Sequence, residues 1–116
     1  MRETLSLYRG HDFLPATERL AAIPPICGQD GVPTTDKIIH LHYTATFGEW
    51  WITELDPDTW VGFGYARLTA MAECAEWGYI PLDELEAAMD PHGNIVDRDL
   101  RWQPTRGTDI PGIGHL

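Results

Sequence analysis

Three strand-forming runs follow one another in the middle of the chain, and they constrain its fold more than any other feature. Residues 37–43 (KIIHLHY), 49–55 (EWWITEL) and 60–68 (WVGFGYARL) are rich in β-branched and aromatic residues, which are typical of strands. Between the last two runs lies Asp56-Pro57-Asp58-Thr59, with Asp and Pro at the first two positions of a type I turn. The pattern therefore predicts a β-hairpin with its turn at residues 56–59.

The third run alternates between two kinds of side chain. If it is a strand, its two faces carry Val61, Phe63 and Tyr65 on one side and Trp60, Gly62, Gly64 and Ala66 on the other. The two glycines leave the second face without side chains at positions 62 and 64. We therefore expect a helix or a neighbouring Trp to cover that face closely.

Weaker patterns before and after these runs predict two short helices and two more strands. Residues 17–23 predict a helix that Pro24-Pro25 ends, and residues 81–89 predict a second helix that begins with a proline and two acidic residues. The apolar stripe of the second helix is Leu82, Leu85 and Met89. Residues 76–80 and 97–102 predict short strands.

The expected fold class is α+β, a small antiparallel sheet of about four to five strands with one or two short helices packed on it. A chain of 116 residues fits a single domain, here residues 1–116. Within it we expect an N-terminal segment (1–16), a core (17–104) and a loosely packed tail (105–116).

The charge balance limits the class of partner. The formal net charge is -10, from 18 acidic and 8 basic residues. Such a chain repels a phosphate backbone, so direct binding to nucleic acid is disfavoured, whereas binding to the basic surface of another protein is allowed. The simpler interpretation is that the acidity serves solubility.

The two cysteines, Cys27 and Cys74, are far apart and belong to no CxxC pair. The first ten residues lack the apolar run of a signal peptide, and no stretch approaches the ~20 apolar residues of a membrane span. We therefore expect a cytoplasmic protein that does not engage a membrane, with reduced, buried and unreactive thiols.

His40 and His42 form an H-x-H pattern on a predicted strand, where both side chains would share one face. Two imidazoles at this spacing can bind one metal ion if Glu49 or Glu54 on the next strand supplies a third ligand. The alternative is that both histidines are ordinary sheet residues. Two ligands without a third are weak support for a metal, so no metal or other cofactor is expected.

The remaining charged groups have simple local explanations. Asp56 and Asp58 are turn residues, and Asp83, Glu84 and Glu86 belong to the start of a helix. Arg98 would pair locally with Asp97 or Asp99, or with a helix. The glycines at 62 and 64 lack the following helix of a phosphate-binding loop, so nucleotide binding has no support.

Several motifs occur in an order that resembles a known family. They are IIHLHY, WWITELD, FGYARL, Trp77-Gly78-Tyr79-Ile80-Pro81-Leu82-Asp83-Glu84-Leu85 and Asp97-Arg98-Asp99-Leu100-Arg101-Trp102-Gln103-Pro104. Their order and spacing are similar to a domain-of-unknown-function family of small proteins from plasmids, phages and integrative elements, over roughly residues 17–104. The chain departs from the family pattern in having Ile80 where Phe is usual and a tail past Pro104. The resemblance implies a small α+β fold and a mobile-element setting, and it implies no catalytic residues.

Two classes of function follow, with a third beside them. The first is a non-enzymatic, acidic protein-binding domain. In the mobile-element setting it would inhibit host defence, such as a restriction or CRISPR nuclease, as a nucleic-acid mimic or as an occluder. Its partner-binding residues would be Glu54, Asp56, Asp58, Glu73, Glu76, Asp83, Glu84, Glu86, Trp50 and Trp60. The second is a small metal-dependent enzyme that uses His40 and His42. The third is an oligomerising accessory module, including a homodimer, anchored by Trp50, Trp51 or Trp60.

Overall fold

The central runs form adjacent strands of a five-stranded antiparallel sheet. The computed structural model describes residues 1–110 and 113. The strands are β1 (Ile38–Ile39), β2 (Leu41–Ala45), β3 (Gly48–Asp56), β4 (Val61–Leu68), β5 (Glu76–Pro81), β6 (Asp97–Arg98) and β7 (Thr105–Arg106), and the α-helices are α1 (Ser6–Arg9), α2 (Thr17–Ala21) and α3 (Leu82–Ala87). The strand order in the five-stranded sheet is β5-β4-β3-β2-β6. A mostly antiparallel sheet with a few short helices agrees with the expected α+β class. Among the described residues, none of the helices has the length and apolarity that crossing a bilayer requires.

The predicted run 37–43 is two strands rather than one. β1 pairs with β7 in a separate two-stranded sheet, where Ile38 lies opposite Arg106 and Ile39 opposite Thr105. β2 then pairs with β3 in the main sheet. Thr105–Arg106 therefore belongs to a strand, although it lies in the segment expected to pack loosely. The end of that segment, residues 111–112 and 114–116, lies outside the described residues.

The alternation predicted for β4 is confirmed, and α3 packs against β4, but the atoms nearest to a Cβ at either glycine belong to the neighbouring strands β3 and β5. Gly62 faces the side chain of Ile52, and a Cβ at Gly62 would lie 3.2 Å from its Cγ2 atom. A Cβ at Gly64 would overlap the carbonyl oxygen of Trp51. The reason is a β-bulge in β3 between Ile52 and Glu54, which brings the backbone of β3 close to β4.

The two faces of the sheet carry different cores. The main core contains Phe13, Leu41, Tyr43, Trp50, Ile52, Leu55, Ile80, Leu82, Leu85 and Val96. The opposite face carries a smaller cluster of Ile39, Trp51, Tyr65 and Ile113, with Trp77 and Trp102 beside it. Burial of large apolar and aromatic side chains on both faces accounts for most of the favourable free energy of folding.

Three predicted elements are shorter than expected, and the first is the helix predicted at 17–23, which ends at Ala21. The helix predicted at 81–89, which is α3, ends at Ala87, because Ala88 is already extended (ψ 135°) and Met89 makes an isolated bridge with Ile95. Met89 is consequently 48% exposed and does not continue the apolar stripe. The last predicted strand, 97–102, retains strand structure only at Asp97–Arg98.

Candidate protein-binding site

The loop between β3 and β4 forms one end of the sheet. Asp56 lies opposite Val61, so the loop consists of residues 57–60, and Trp60 belongs to the loop rather than to the strand. The Asp58 backbone N–H donates to Asp56 Oδ1 at 2.9 Å, and the Trp60 N–H donates to the Asp56 carbonyl at 2.8 Å. The four-residue turn predicted at 56–59 is thus displaced by one residue, to 57–60.

Trp60 has a left-handed backbone with φ of 60°, which is unusual for a bulky residue. Such a conformation costs about 1–3 kcal/mol and persists only where the surroundings enforce it. Here the Leu82 N–H donates to the Trp60 carbonyl at 2.9 Å, and the indole packs half-buried against the main core. The indole is therefore held in place by its backbone and by its packing.

A groove of about 430 Å³ lies beside this loop. It is lined by Thr17, Leu20, Ala21, Ile23, Pro25, Leu55, Pro57 and Trp60. All but the threonine are apolar, and they come from α2, the segment that follows α2, the end of β3 and the loop. The size and lining match those of sites that bury an apolar group of a ligand.

Carboxylates surround this end of the sheet. Asp56 and Asp58 flank Pro57 at the groove, and Asp58 is exposed while Asp56 is half-buried. Pro81 at the end of β5 pairs with Val61, and α3 follows immediately, so Asp83 and Glu84 lie at the same end and are exposed. We call Asp56, Asp58, Asp83 and Glu84 the acidic end.

The other expected partner-binding carboxylates lie elsewhere. Glu73 and Glu76 are exposed, but Glu76 pairs with Ala66, at the far end of the β4–β5 pair from the groove. The expectation is wrong for Glu54 and Glu86, which are 2% and 1% exposed, and for Trp50, which is 6% exposed. Buried side chains of this kind cannot contact a partner.

Glu86 anchors the N-terminal segment instead. Its carboxylate accepts hydrogen bonds from the backbone N–H groups of Thr4 and Leu5 and pairs with the Arg9 guanidinium at 3.2 Å. Burial alone would raise the pKa of Glu86, but these hydrogen bonds more than offset it, and the pKa lies below its ordinary value.

Glu54 forms a second buried pair, with the ammonium of Lys37 at 3.0 Å. The Cys27 N–H also donates to Glu54, at 2.9 Å. The bulge in β3 explains the location, because it shifts the alternation of the strand and puts Glu54 opposite Phe63. A prediction that assumes strict alternation along the strand could not reveal this location of Glu54.

The two histidines of the H-x-H pattern have different surroundings. His42 lies between two carboxylates, with Nδ1 2.9 Å from Asp99 Oδ2 and Nε2 2.9 Å from Glu49 Oε2. Its ring also stacks on Trp51 at 5.3 Å. His40 instead lines a cleft with Arg19, and burial, with the nearby Arg19 charge, lowers the pKa of His40.

The described part of the chain supplies no third metal ligand to these histidines. Among the described residues, no group of three or more His, Cys, Asp or Glu side chains is arranged to hold a metal ion. Glu49 does reach His42, as a hydrogen-bond partner that also binds Arg67 at 2.8 Å. The Asp99–His42 contact was missed from the sequence because 57 positions separate the two residues and no local pattern links them.

The charged residues at the start of the 97–104 motif do not form the local ion pairs that were expected. Arg98 donates to the carbonyl of Asp12, at 3.2 Å from Nη2, rather than to a neighbouring carboxylate. Asp97 instead contacts the ring of His11 at 2.7 Å. This segment thus binds the N-terminal segment to the sheet.

The expectation of buried thiols is wrong, since Cys27 and Cys74 are both exposed. The charge of Asp30, followed by partial desolvation, raises the pKa of the Cys27 thiol. A raised pKa leaves less thiolate, which is the reactive form. Exposure therefore does not make Cys27 an activated nucleophile.

Comparison with known proteins gave one family. A family model described as "Protein of unknown function (DUF2958)" matches residues 26–109. No curated protein and no solved structure matches the chain. The match begins after α2 and includes all seven strands and α3.

Proposed function

Because the chain belongs to the DUF2958 family, whose function is not established, we propose from its own geometry that it is a non-enzymatic, acidic protein-binding domain. The observation that carries the proposal is the apolar groove at the acidic end. A groove lined by Pro57, with Asp56 and Asp58 on either side of Pro57 in the chain, combines an apolar contact with charge selection, which is how protein interfaces gain both affinity and specificity.

The distribution of the basic residues supports a basic partner. Arg9, Lys37, Arg67 and Arg106 each pair with a carboxylate of the same chain. Each of these pairs neutralises one carboxylate as well as one basic group, so the net charge of -10 is carried by the remaining groups, which include the acidic end. A negative charge of this size accelerates association with a positively charged surface.

A nucleic-acid-binding protein is the partner class that this charge favours. The resemblance to small proteins of mobile elements adds a setting in which that partner is a restriction or CRISPR nuclease of the host. Among the proposed partner-binding carboxylates, those at the surface fall at two ends of the sheet, the acidic end and the Glu73–Glu76 end, rather than along one face. That separation favours an occluder over a nucleic-acid mimic, and a cytoplasmic location is part of the proposal.

The alternatives have less support. The metal-dependent enzyme lacks a third ligand among the described residues. The oligomerising module would need exposed Trp anchors, but Trp50 and Trp51 are 6% and 2% exposed, which leaves the half-buried Trp60 of the three expected anchors. A homodimer stays a prediction, and it would have to use Trp60 or a different surface.

A capture experiment tests the proposed function. The protein would be immobilised and exposed to a lysate of its native host, with the Asp58→Asn/Glu84→Gln and Glu73→Gln/Glu76→Gln variants in parallel. We expect basic nucleic-acid-binding proteins to be retained by the wild type and by the second variant, and to be lost with the first. Each protein retained would then be tested for loss of DNA binding when the domain is titrated in.

Both variants remove two exposed negative charges, so a general charge effect would weaken them equally. Retention of no basic protein by the wild type, or equal loss in both variants, would contradict the proposal. Retention without any loss of DNA binding would leave a protein-binding domain but exclude an occluder of nucleic-acid sites.

A further inference from the structure

We propose that the groove binds one segment of the basic partner, in which large apolar side chains enter the groove and flanking Lys or Arg side chains meet Asp56 and Asp58. This inference rests on the proposed function and adds the chemistry of the docking segment. Its first basis is the lining, since Leu20, Ile23 and Leu55 offer the occupant an apolar surface. Burial of an apolar side chain there is favourable because it removes apolar area from water.

The second basis is the preorganisation of Trp60. Its backbone is held by hydrogen bonds on both sides, at 2.8 Å to Asp56 and 2.9 Å from Leu82. The loop therefore presents the indole in one position without an ordering cost at binding. Trp is also the side chain most often found at the energetic centre of protein interfaces.

The third basis is charge, which selects among the occupants of such a groove. Asp56 and Asp58 stand on either side of Pro57, which itself lines the groove. A second copy of this chain would bring like carboxylates together, and a neutral small molecule would leave them unused. A segment with Lys or Arg next to its apolar residues uses both features.

A titration with three synthetic peptides tests the inference. The first is Lys-Arg-Lys-Leu-Leu-Lys-Arg-Lys, the second has Ala-Ala in place of Leu-Leu, and the third has Glu in place of every basic residue. Binding to the isotope-labelled protein would be followed by NMR, with the Trp60 indole N–H assigned from a Trp60→Phe spectrum. We expect saturable shifts at Trp60, Leu55 and Leu20 with the first peptide, at least about tenfold weaker binding of the second, and none of the third.

Two variants on one helix provide a matched pair. Ala21 and Ala22 are both exposed, but Ala21 lines this groove and Ala22 lines a different cleft. Ala21→Gln fills the groove with a neutral side chain and should weaken the first peptide about tenfold, whereas Ala22→Gln should leave binding unchanged. Asp56→Asn/Asp58→Asn should also weaken binding of the first peptide, because both negative charges are lost. The loop should keep its conformation, because the amide oxygen at position 56 still accepts the N–H of residue 58.

Five other outcomes of these titrations would each overturn the inference. Equal affinity of the two basic peptides excludes an apolar anchor but leaves a basic partner in place. Shifts that map outside the groove, or equal effects of the two glutamine variants, exclude this location. Shifts that change on dilution of the protein alone indicate a second copy. Absence of saturable binding up to about 1 mM overturns the docking segment, and it overturns the proposed function as well only if the lysate capture also yields no basic protein.

Discussion

The guanidinium of Arg9 lies 3.2 Å from the carboxylate of Glu86 in the interior, although 77 positions separate the two residues. Neither side chain is more than 1% exposed. The Arg9 Nε–H also donates to the carbonyl of Val96 at 2.9 Å. The pair therefore ties the N-terminal segment to α3 and to the chain that follows it.

Removal of one partner should be strongly destabilising, because the other charge stays buried. We expect Glu86→Ala to lower the free energy of unfolding by about 3–5 kcal/mol, as measured by urea denaturation. Glu86→Gln should cost less, since its amide oxygen still accepts from Thr4 or Leu5. Glu84 on the same helix is exposed, so Glu84→Ala should change the free energy of unfolding by about 0.5 kcal/mol or less. Equal effects of the two alanine variants would show that Glu86 is not buried in solution.

Stability should decline in acid. The pKa of Glu49, Glu86 and Asp99 is lowered in the folded protein, because hydrogen bonds to each carboxylate outweigh burial. A depressed carboxyl pKa contributes stability that is complete above the unfolded values, 4.5 for Glu and 3.8 for Asp, and is lost as the pH falls through the folded pKa.

Urea denaturation at a series of pH values measures this decline. We expect the free energy of unfolding to decline slightly below about pH 6.5, because the lowered pKa of His40 favours the unfolded state there, and to fall more steeply below about pH 5, where these carboxylates titrate. Glu86→Gln should make the dependence shallower, because it removes one of the titrating groups. A free energy that rises as the pH falls would contradict the assigned hydrogen bonds.

Two glycines of the sheet should respond in opposite ways to the same substitution. A Cβ at Gly64 would overlap the Trp51 carbonyl, so Gly64→Ala forces β3 and β4 apart and should cost about 3 kcal/mol. A Cβ at Gly78 on β5 meets nothing within 4 Å, so Gly78→Ala should be neutral or stabilise by about 0.5–1 kcal/mol. Thermal unfolding of both variants compares them directly. A tolerated Gly64→Ala would show that the bulge in β3 does not bring the strands this close.

Cys27 should be alkylated slowly despite its exposure. The Asp30 charge raises the pKa of its thiol, so less thiolate is present at neutral pH. In a Cys74→Ser background, the rate of reaction with iodoacetamide should rise with an inflection above pH 9.0, the ordinary value. Asp30→Asn should move the inflection down. An inflection below pH 9.0 in the parent would instead indicate an activated thiol.

The hairpin shows what local pattern can predict. Alternation of Phe63 and Tyr65 with Gly62 and Gly64 predicts β4 and its two faces, and the Asp-Pro pair predicts the turn before it. These features depend on residues a few positions apart. The same holds for the start of α3, where the proline and the acidic residues act within one turn of helix.

The candidate site could be predicted only in part, because burial depends on distant partners. Asp56, Asp58, Asp83 and Glu84 are exposed or half-buried, and the pairing of Val61 with Pro81 brings both pairs to one end. Glu54 looks equivalent to them in the sequence. A one-residue bulge turns Glu54 towards Lys37, and no sequence pattern indicates that bulge.

The sequence by itself therefore determined the strand-rich centre, the hairpin and the acidic character, because propensity, turn chemistry and charge are properties of neighbouring residues. Tertiary structure alone decided which acidic residues are surface and which are core. Glu86 is neutralised by Arg9 and Glu54 by Lys37 across long sequence separations, and Trp60 is held in a left-handed conformation by contacts on both sides. Long-range pairing of this kind has no local signature, and it separates the acidic end, with its groove, from the other carboxylates of the chain.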